Sequence, residues 1–551
     1  MKGQAILRGI VIGRGLPVLM LALVLAGAAM AQGSDPAGVV ARNNERIAAD
    51  LAAVGMVPEG KPVVAGDTVR ADLPPPGGPV VQLKSVVFEP PSAFLSPAEL
   101  DAIVANYLGR KVDFSEISRL VRDVNDLYAE KGVVTASALL PPQKLTDGVL
   151  QVSLIEGRVG TIAVVGANRV PNAMLFDAVR LSRDDGVVDV PQASQDILRF
   201  NRSHHAQMSL LLQPGAAFGL TDLTIGVAEP RPLSAQLSLD NYGVASTGAV
   251  QASASVNSYG AFGIDDNLMV LGTAALGSLA GTVTYDMPVS SFGTRLALGA
   301  TASTIRVIDG PSADLDITGR SVSLTGTLSQ TLIARPDVTV QGLVTASVGV
   351  SQSFLADVPV VDGVVTKLAA GIAASYSNDK VSISVQPQLV RALAENRLDD
   401  TLQGFIIATA TASAEYLLSD DVRLVARGAG QYTFPYSGLA GMPGSLLFQI
   451  GGPGTVRGYP SDGVGGDSGY YVQTELHWAP EQVAGADLFL LGDFGQVFSS
   501  YPAETTMASV GAGASYSWSN VTLEGAVGIP VISAVADQGP FGVYARLAGT
   551  M

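Results

Sequence analysis

Cysteine is absent from all 551 residues of the chain. This absence excludes a disulfide framework, a thiol nucleophile and a thiolate metal site, while it leaves the compartment open. Charged residues are also scarce, at 15% of the chain, against about 25% in soluble proteins. The net charge is −16. Because nucleic-acid binding needs a basic surface, we do not expect this chain to bind nucleic acid.

Long apolar runs are missing as well. After residue 31, no stretch of the chain stays apolar for the roughly 18 residues that a membrane-spanning helix needs. Yet 47% of the residues are hydrophobic and 62 are glycine. This combination is typical of a membrane β-barrel, because its strands alternate between apolar and polar residues and dilute the apolar signal.

The N-terminus predicts a secretory signal peptide over residues 1–31. A basic segment with Lys2, Arg8 and Arg14 precedes the apolar core Leu16–Ala28. Ala29-Met30-Ala31 then provides a small-x-small cleavage site, so we expect cleavage after Ala31. The alternative is an uncleaved anchor helix, which the short apolar core does not favour.

Residues 32–79 are interpreted as a helix followed by a linker. The helix is amphipathic, since Val40, Ile47, Leu51 and Val54 fall on one stripe. From about Gly55 to Gly78 the chain is rich in proline and glycine, which predicts an extended segment without a core. A disordered leader is the alternative to the helix.

The next 150 residues contain two copies of one pattern, and such internal repetition outweighs any single element assignment. Residues 80–157 predict the order βααββ. Ser96 and Glu99 form a capping box that opens the first helix, and Gly109 closes it. The predicted elements are a strand Val80–Glu89, a second helix from Ser115 to Gly132, and strands Thr135–Leu140 and Val149–Glu156.

Residues 158–229 repeat the βααββ order of residues 80–157. The predicted elements are a strand Thr161–Val165, helices Asn172–Leu181 and Pro191–Arg202, and strands Ala206–Gln213 and Leu220–Ala228.

Residues 230–551 predict an all-β transmembrane barrel. Leu233, Ala235, Leu237 and Leu239 alternate with polar residues, as a wall between lipid and a polar lumen requires. The segment is long enough for about 16 antiparallel strands of ~10 residues with their turns. A barrel this wide needs a plug, because side chains alone cannot fill it. The alternative, a soluble array of β-sandwiches, explains the signal peptide and the low charge less well.

Near the C-terminus lies the most specific motif of the chain. Val456-Arg457-Gly458-Tyr459, within the segment 448–459, resembles the loop-six signature of the Omp85 superfamily. Within that superfamily the whole mature chain resembles two-partner secretion transporters of the haemolysin-activator and filamentous-haemagglutinin-transporter type. The resemblance implies that the two modules are POTRA domains, that the barrel has sixteen strands, and that the helix in residues 32–79 plugs the lumen.

The family also implies a partner for Arg457 on the barrel wall. The family pattern is Phe-x-Asp-x-Gly, and Leu491-Gly492-Asp493-Phe494-Gly495 aligns with it, so the resemblance assigns Asp493 and Gly495 to the wall. Leu491 stands where the family has Phe, which puts the strand assignment in doubt. The C-terminal Met551 is a second departure, because family barrels usually end on an aromatic residue.

Three motifs suggest chemistry that we do not expect. Gly466-Asp467-Ser468-Gly469 matches the nucleophile segment of trypsin-like proteases, but the chain has only 3 histidines and that mechanism needs one in fixed geometry. His204-His205 lacks further ligands at metal-binding spacing, which favours a surface pair. The glycine-rich stretch 451–458 lacks the Gly-Lys-Ser/Thr ending of a phosphate loop.

The sequence therefore predicts a protein-translocating pore of the bacterial outer membrane, with periplasmic POTRA domains that catch a secreted partner such as a large adhesin or haemolysin. We expect no catalytic residues, no metal and no cofactor. The other expected partners are outer-membrane lipids and, during biogenesis, the barrel assembly machinery. Two alternatives are an Omp85-type assembly factor and a passive porin. A passive porin would not need periplasmic modules.

Overall fold

The computed structural model describes residues 63–65, 73–145, 147–436, 441–461, 463–500, 504–535 and 538–551. Two small α+β modules precede a closed antiparallel barrel, so the predicted fold class is confirmed. The predicted signal peptide and the predicted plug helix lie outside the described residues. None of the described helices is long and apolar enough to cross a membrane.

The first module packs two helices on a three-stranded sheet. After the short linker strand β1 (Val63–Ala65), its elements are β2 (Val81–Gln82), β3 (Ser85–Glu89), α1 (Pro97–Val104), β4 (Lys111–Val112), α2 (Phe114–Glu130), β5 (Ala136–Leu139) and β6 (Val149–Glu156). In the sheet, β6 lies between β3, which is parallel to it, and β5, which is antiparallel. Leu120, Val124 and Leu150 are buried between the helices and the sheet, which gives this module its own core.

Two predicted elements of this module are wrong in extent. The first helix ends at Val104, not near Gly109, because the amide of Gly109 instead donates to the carbonyl of Leu83 at 2.9 Å. The predicted strand Val80–Glu89 is split, since β2 pairs with β4 whereas β3 pairs with β6. The capping box forms as expected: Ser96 accepts from the amide of Glu99, and Glu99 accepts from the amide of Ser96.

The second module has the same helix–sheet design. It consists of β7 (Arg158–Val165), α3 (Asn172–Ala178), α4 (Val190–Ser203), β8 (Gln207–Pro214) and β9 (Leu220–Ala228). The strand β9 lies between β7 and β8. The linker strand β1 adds to the other side of β8 in parallel, with Val63 opposite Leu210 and Ala65 opposite Leu212. The linker of this chain thus covers a sheet edge that would otherwise carry unpaired backbone groups.

The barrel consists of sixteen long antiparallel strands among the described residues, and a short strand, β21, pairs only with the strand after it. The closing pair of β10 and β26 runs from Gln236, opposite Thr550, to Asp240, opposite Arg546. The strands are β10 (Leu233–Asp240), β11 (Gln251–Tyr259), β12 (Asn267–Ala275), β13 (Ser278–Pro288), β14 (Thr294–Arg306), β15 (Ile317–Ala334), β16 (Val338–Leu355), β17 (Val358–Ser377), β18 (Val381–Asn396), β19 (Thr401–Leu417), β20 (Val422–Thr433), β21 (Phe448–Ile450), β22 (Val464–Trp478), β23 (Ala486–Ser500), β24 (Thr505–Trp518), β25 (Val521–Pro530) and β26 (Gly542–Thr550).

A polar junction joins the second module to the barrel. Asp265, in the turn between β11 and β12, is fully buried and accepts from the amides of His205 and Ala206 at 3.2 and 2.9 Å. The guanidinium of Arg295 donates to the same carboxylate at 3.0 Å. The imidazole of His205 lies 2.8 Å from the carboxylate of Asp286. Buried charges of this kind are paired, so the junction holds the module in one orientation.

The two histidines at this junction do not form a surface pair, so that interpretation is wrong. His204 is buried and stacks on Phe200, with ring centroids 4.0 Å apart. Burial lowers the pKa of His204 to about 4, because the charged form loses its hydration. Among the described residues, no group of three or more histidine or carboxylate side chains is arranged to hold a metal ion.

The barrel makes a testable prediction about the purified protein. Because every strand of the closed barrel is paired on both sides, the folded form should persist in detergent until it is boiled. We expect different migration in gels before and after boiling, and recovery with outer membranes on fractionation. A protein recovered as a soluble periplasmic species would contradict the barrel.

Candidate functional site

The described residues between β20 and β22, which are 434–436, 441–461 and 463, belong to a long loop, termed loop six here, whose tip lies against the inner barrel wall. The tip carries Val456, Arg457, Gly458 and Tyr459, and all four are buried. The wall strands that the tip contacts are β22 to β26. The predicted motif residues therefore come together inside the lumen.

Arg457 and Asp493 form the centre of the site. The Nε and Nη2 atoms of Arg457 donate to Oδ2 and Oδ1 of Asp493 at 2.8 and 2.7 Å. The backbone amide of Arg457 adds a third donor to Oδ2 at 2.9 Å. The side chain of Asp493 is completely buried, and that of Arg457 is 8% exposed. A planar fork that meets a carboxylate in this way fixes both position and direction.

A second carboxylate extends this pair along the wall. Glu475 on β22 accepts from Nη1 of Arg457 and lies 3.0 Å from Nε2 of His477. The other ring nitrogen of His477 lies 3.0 Å from Asp487, which in turn pairs with Arg423. Arg457 thus joins Asp493 to a continuous row of charged and ionisable side chains in contact on β20, β22 and β23.

Close packing holds the rest of the tip. Val456 packs with Ile450, Val497 and Met507 in an apolar cluster. The hydroxyl of Tyr459 donates toward the carbonyls of Ala508 and Ile532, both at 2.8 Å.

Glycines allow the tip to approach the wall this closely. Gly458 has a φ of +91°, and a Cβ there would lie 3.0 Å from the carbonyl oxygen of Gly528. A Cβ at Gly495 would meet Cγ2 of Val456 at 2.8 Å. Gly495, which the family pattern assigned to the wall, therefore lies directly under the tip, and both positions need glycine.

The facing of β23 resolves the doubt about Leu491. Phe489, Leu491 and Asp493 are buried toward the lumen, whereas Leu488, Leu490 and Phe494 are exposed on the outer face. Leu491 packs with Phe489, Ala526 and Tyr544, so it occupies the inward position that the family pattern gives to Phe. The departure from the pattern does not change the register.

Sequence reasoning found Arg457 and Asp493, but it assigned no role to Glu475 or His477 in this row. The alternation of inward and outward residues along β22 could have identified them, because it places Glu475 and His477 on the lumen face. Gln473 lies on the same face and contacts loop six through the carbonyl of Pro453. Charged residues at inward positions opposite a loop arginine are candidates for its partners.

The protease-like motif does not form a catalytic arrangement. The hydroxyl of Ser468 accepts from the amide of Thr433 at 2.9 Å, and Asp467 accepts from Tyr436. His477 contacts Glu475 and Asp487 instead of Ser468. The segment 466–469 is part of β22 in the barrel wall.

Comparison with known proteins agrees with this geometry. A family model described as haemolysin secretion/activation protein ShlB/FhaC/HecB matches residues 219–516, and a POTRA domain model of the ShlB type matches residues 81–157. The chain is 25% identical over 463 residues to the outer membrane transporter CdiB of Dickeya dadantii, with 77% of each chain covered. It is 23% identical over 451 residues to the heme/hemopexin transporter protein HuxB of Haemophilus influenzae, with 76% and 78% covered.

The comparison of folds also covers nearly the whole chain. The solved structure of CdiB from Escherichia coli matches with a TM-score of 0.70 at 19% identity, and it covers 95% of this chain and all of that one.

Two POTRA-type modules before a sixteen-stranded barrel with loop six inside define an outer-membrane two-partner secretion transporter of the Omp85 superfamily. The chain belongs to the haemolysin secretion/activation protein family. It is located in the outer membrane with its POTRA domains in the periplasm, and it translocates a secreted partner protein. The predictions of family, function and location are thereby confirmed.

Proposed function

We propose that loop six is a movable lid, and that the Arg457–Asp493 pair holds its tip in the resting position from which export must start. The observation that supports this is the buried, three-donor contact between a loop residue and a wall residue. Because the contact is concentrated at one arginine, a single event can release the loop tip. When the tip leaves, the lumen becomes available to an unfolded polypeptide.

The partner would be recognised first in the periplasm, at the edge of β8. A peptide can add to an exposed sheet edge through backbone hydrogen bonds, with little demand on its sequence. The chain's own β1 occupies this edge over three residues. We infer that β1 guards the edge and yields it to a strand of the secreted partner.

Transport in this proposal needs no catalysis, metal or cofactor. The exported chain would fold outside the cell, and folding there removes the unfolded species and makes its return unfavourable. The partner's chemical class is a large secreted exoprotein, such as an adhesin or haemolysin. Lipids of the outer membrane would surround the exposed apolar face, and the barrel assembly machinery would insert the chain.

A barrel assembly factor is the second candidate function, because the fold is also similar to BamA from Haemophilus ducreyi, with a TM-score of 0.52 at 12% identity. Two modules in place of a longer array favour the transporter. The two functions differ in cells that lack this chain: loss of one secreted exoprotein supports the transporter, and a general loss of outer-membrane barrels supports the assembly factor.

The predicted plug helix of residues 34–54 adds a conductance test. If that helix occupies the lumen, replacing Ile47 and Leu51 by Asp should expel it, because both lie on its apolar stripe. We expect higher small-ion conductance in planar bilayers. Ala49→Asp with Ala53→Asp adds the same charge on the opposite side of the helix and should leave conductance unchanged. Equal conductance in both variants would show that the segment is not a plug.

A further inference from the structure

One patch of the lumen wall is apolar, although a water-facing lumen is expected to be polar. Val390 and Ala392 on β18 lie directly opposite Ile407 and Phe405 on β19. All four side chains are buried, and Phe405 has no exposed surface. These four residues are termed the lumen pad. Their strand neighbours Leu389, Leu393 and Ile406 are exposed on the opposite face, so the pad faces inward.

The first arm of loop six covers this pad. Met442, Leu446 and Leu447 pack on it in one hydrophobic cluster, and each is less than 9% exposed. The arm also bonds to the wall, since Nε2 of Gln431 donates to the carbonyl of Leu446 at 2.8 Å. Phe405 meets the ring of Tyr436 edge to face, with centroids 4.7 Å apart. Loop six is therefore held at two places, its tip by charge on β22 to β26 and its arm by apolar packing on β18 and β19.

A cavity lies beside the pad. It has a volume of about 650 Å³, and residues of the arm line it together with residues of the neighbouring strands. Its wall is mixed, since polar residues such as Ser323 and Thr345 stand beside valines such as Val348 and Val350. The cavity also leaves the arm room to move off the pad.

From these contacts we propose that the lumen pad is a second docking site for loop six, and that export requires the arm to leave the pad as well as the tip to leave Asp493. The proposal rests on the lid function of loop six. It differs from the Arg457–Asp493 contact because the pad holds the loop by apolar packing of Met442, Leu446 and Leu447, and not by charge. Removing apolar area from the pad should shift the equilibrium toward the open pore even when Arg457 is intact.

A reducible tether tests this directly, because the chain has no cysteine of its own. Ala392→Cys with Leu446→Cys places one thiol on the pad and one on the arm. Thr282→Cys with Thr301→Cys is the matched control, since these residues lie opposite each other on β13 and β14, outside the pad, and leave the loop untethered. Both pairs are joined by a reducible bifunctional thiol reagent. The exoprotein that cells lacking this chain no longer release is then measured in the medium.

We expect the arm tether to reduce export at least about tenfold, reduction of the tether to restore it, and the control pair to export throughout. Export by the arm-tethered protein at the level of the control would overturn the proposal. If the wild-type chain, measured in parallel, exports no protein, the transport function itself is wrong. Conductance in planar bilayers tests the pad separately from export. Phe405→Ser should raise the open fraction of the pore by about tenfold, the factor that corresponds to ~1.4 kcal/mol. Phe405→Leu keeps an apolar side chain and should return the open fraction to the wild-type value. An open fraction unchanged by Phe405→Ser would refute the pad's role.

Discussion

Arg457→Ala should abolish most export while the barrel still assembles. The substitution leaves Asp493 buried in the lumen without its two side-chain donors, so the loop tip no longer holds the resting position from which export starts. Loss of one partner from a buried pair costs about 3–5 kcal/mol, whereas a surface pair would cost only ~0–1 kcal/mol. Asp493→Ala should have a similar effect, because Arg457 then loses the carboxylate that positions the loop. The double variant should export little less than either single variant, since the two residues act as one unit.

The measurement is partner protein in the medium relative to transporter in the outer membrane, for the wild type, both single variants and the double variant. Arg457→Lys keeps the charge but loses the fork, so it should export at an intermediate level. Arg427→Ala, at an exposed position on β20, is the matched control and should export normally. Additive losses would show that Arg457 and Asp493 act independently, and full export by Arg457→Ala would remove the motif from the mechanism.

Deletion of β1, residues 63–65, should strengthen partner binding about tenfold or more. The three-residue pairing of β1 with β8 competes with a partner strand for the same edge, and each backbone hydrogen bond that is lost contributes on the order of 0.5–1.5 kcal/mol. The measurement is the affinity of the purified transporter for an N-terminal fragment of the exoprotein that cells lacking this chain no longer release. Deletion of residues 74–76, three prolines of the same linker, shortens the chain equally and keeps β1.

The two deletions separate competition from linker length. If the edge of β8 is the recognition site, only the variant without β1 binds more tightly. Equal affinities in both variants would show that the partner binds elsewhere on the POTRA domains. Tighter binding in both would show that linker length, and not the strand β1, controls access.

Much of the fold follows from periodicity that the sequence shows openly. The alternation of Leu233 to Leu239 predicts a strand with one lipid face, and the capping box at Ser96 predicts where a helix begins. Element ends were harder to predict, because tertiary pairing decides them: Gly109 bonds to Leu83 instead of closing α1. The pairing of β1 with β8 was also missed, since a three-residue strand has no periodicity of its own.

The site was only partly predictable for a similar reason. The loop-six motif identifies Arg457, and the family pattern identifies Asp493. Glu475 and His477 take part because the register of β22 against β23 brings His477 beside Asp487 and Glu475 within reach of the loop tip. The lumen pad was invisible in the sequence, because Phe405 and Ile407 read as ordinary barrel residues until their facing is known.

Passage of the partner through the lumen is the central claim, and two neighbouring residues of β22 test it. Gln473 faces the lumen and contacts loop six, whereas Val472 is exposed on the outer face. A photo-crosslinking amino acid is placed at each position, and the exoprotein is stalled during export by a folded domain at its C-terminus. We predict crosslinks to the exoprotein from position 473 and none from position 472. Crosslinks from position 472, or from neither position while export continues, would contradict a path through the barrel.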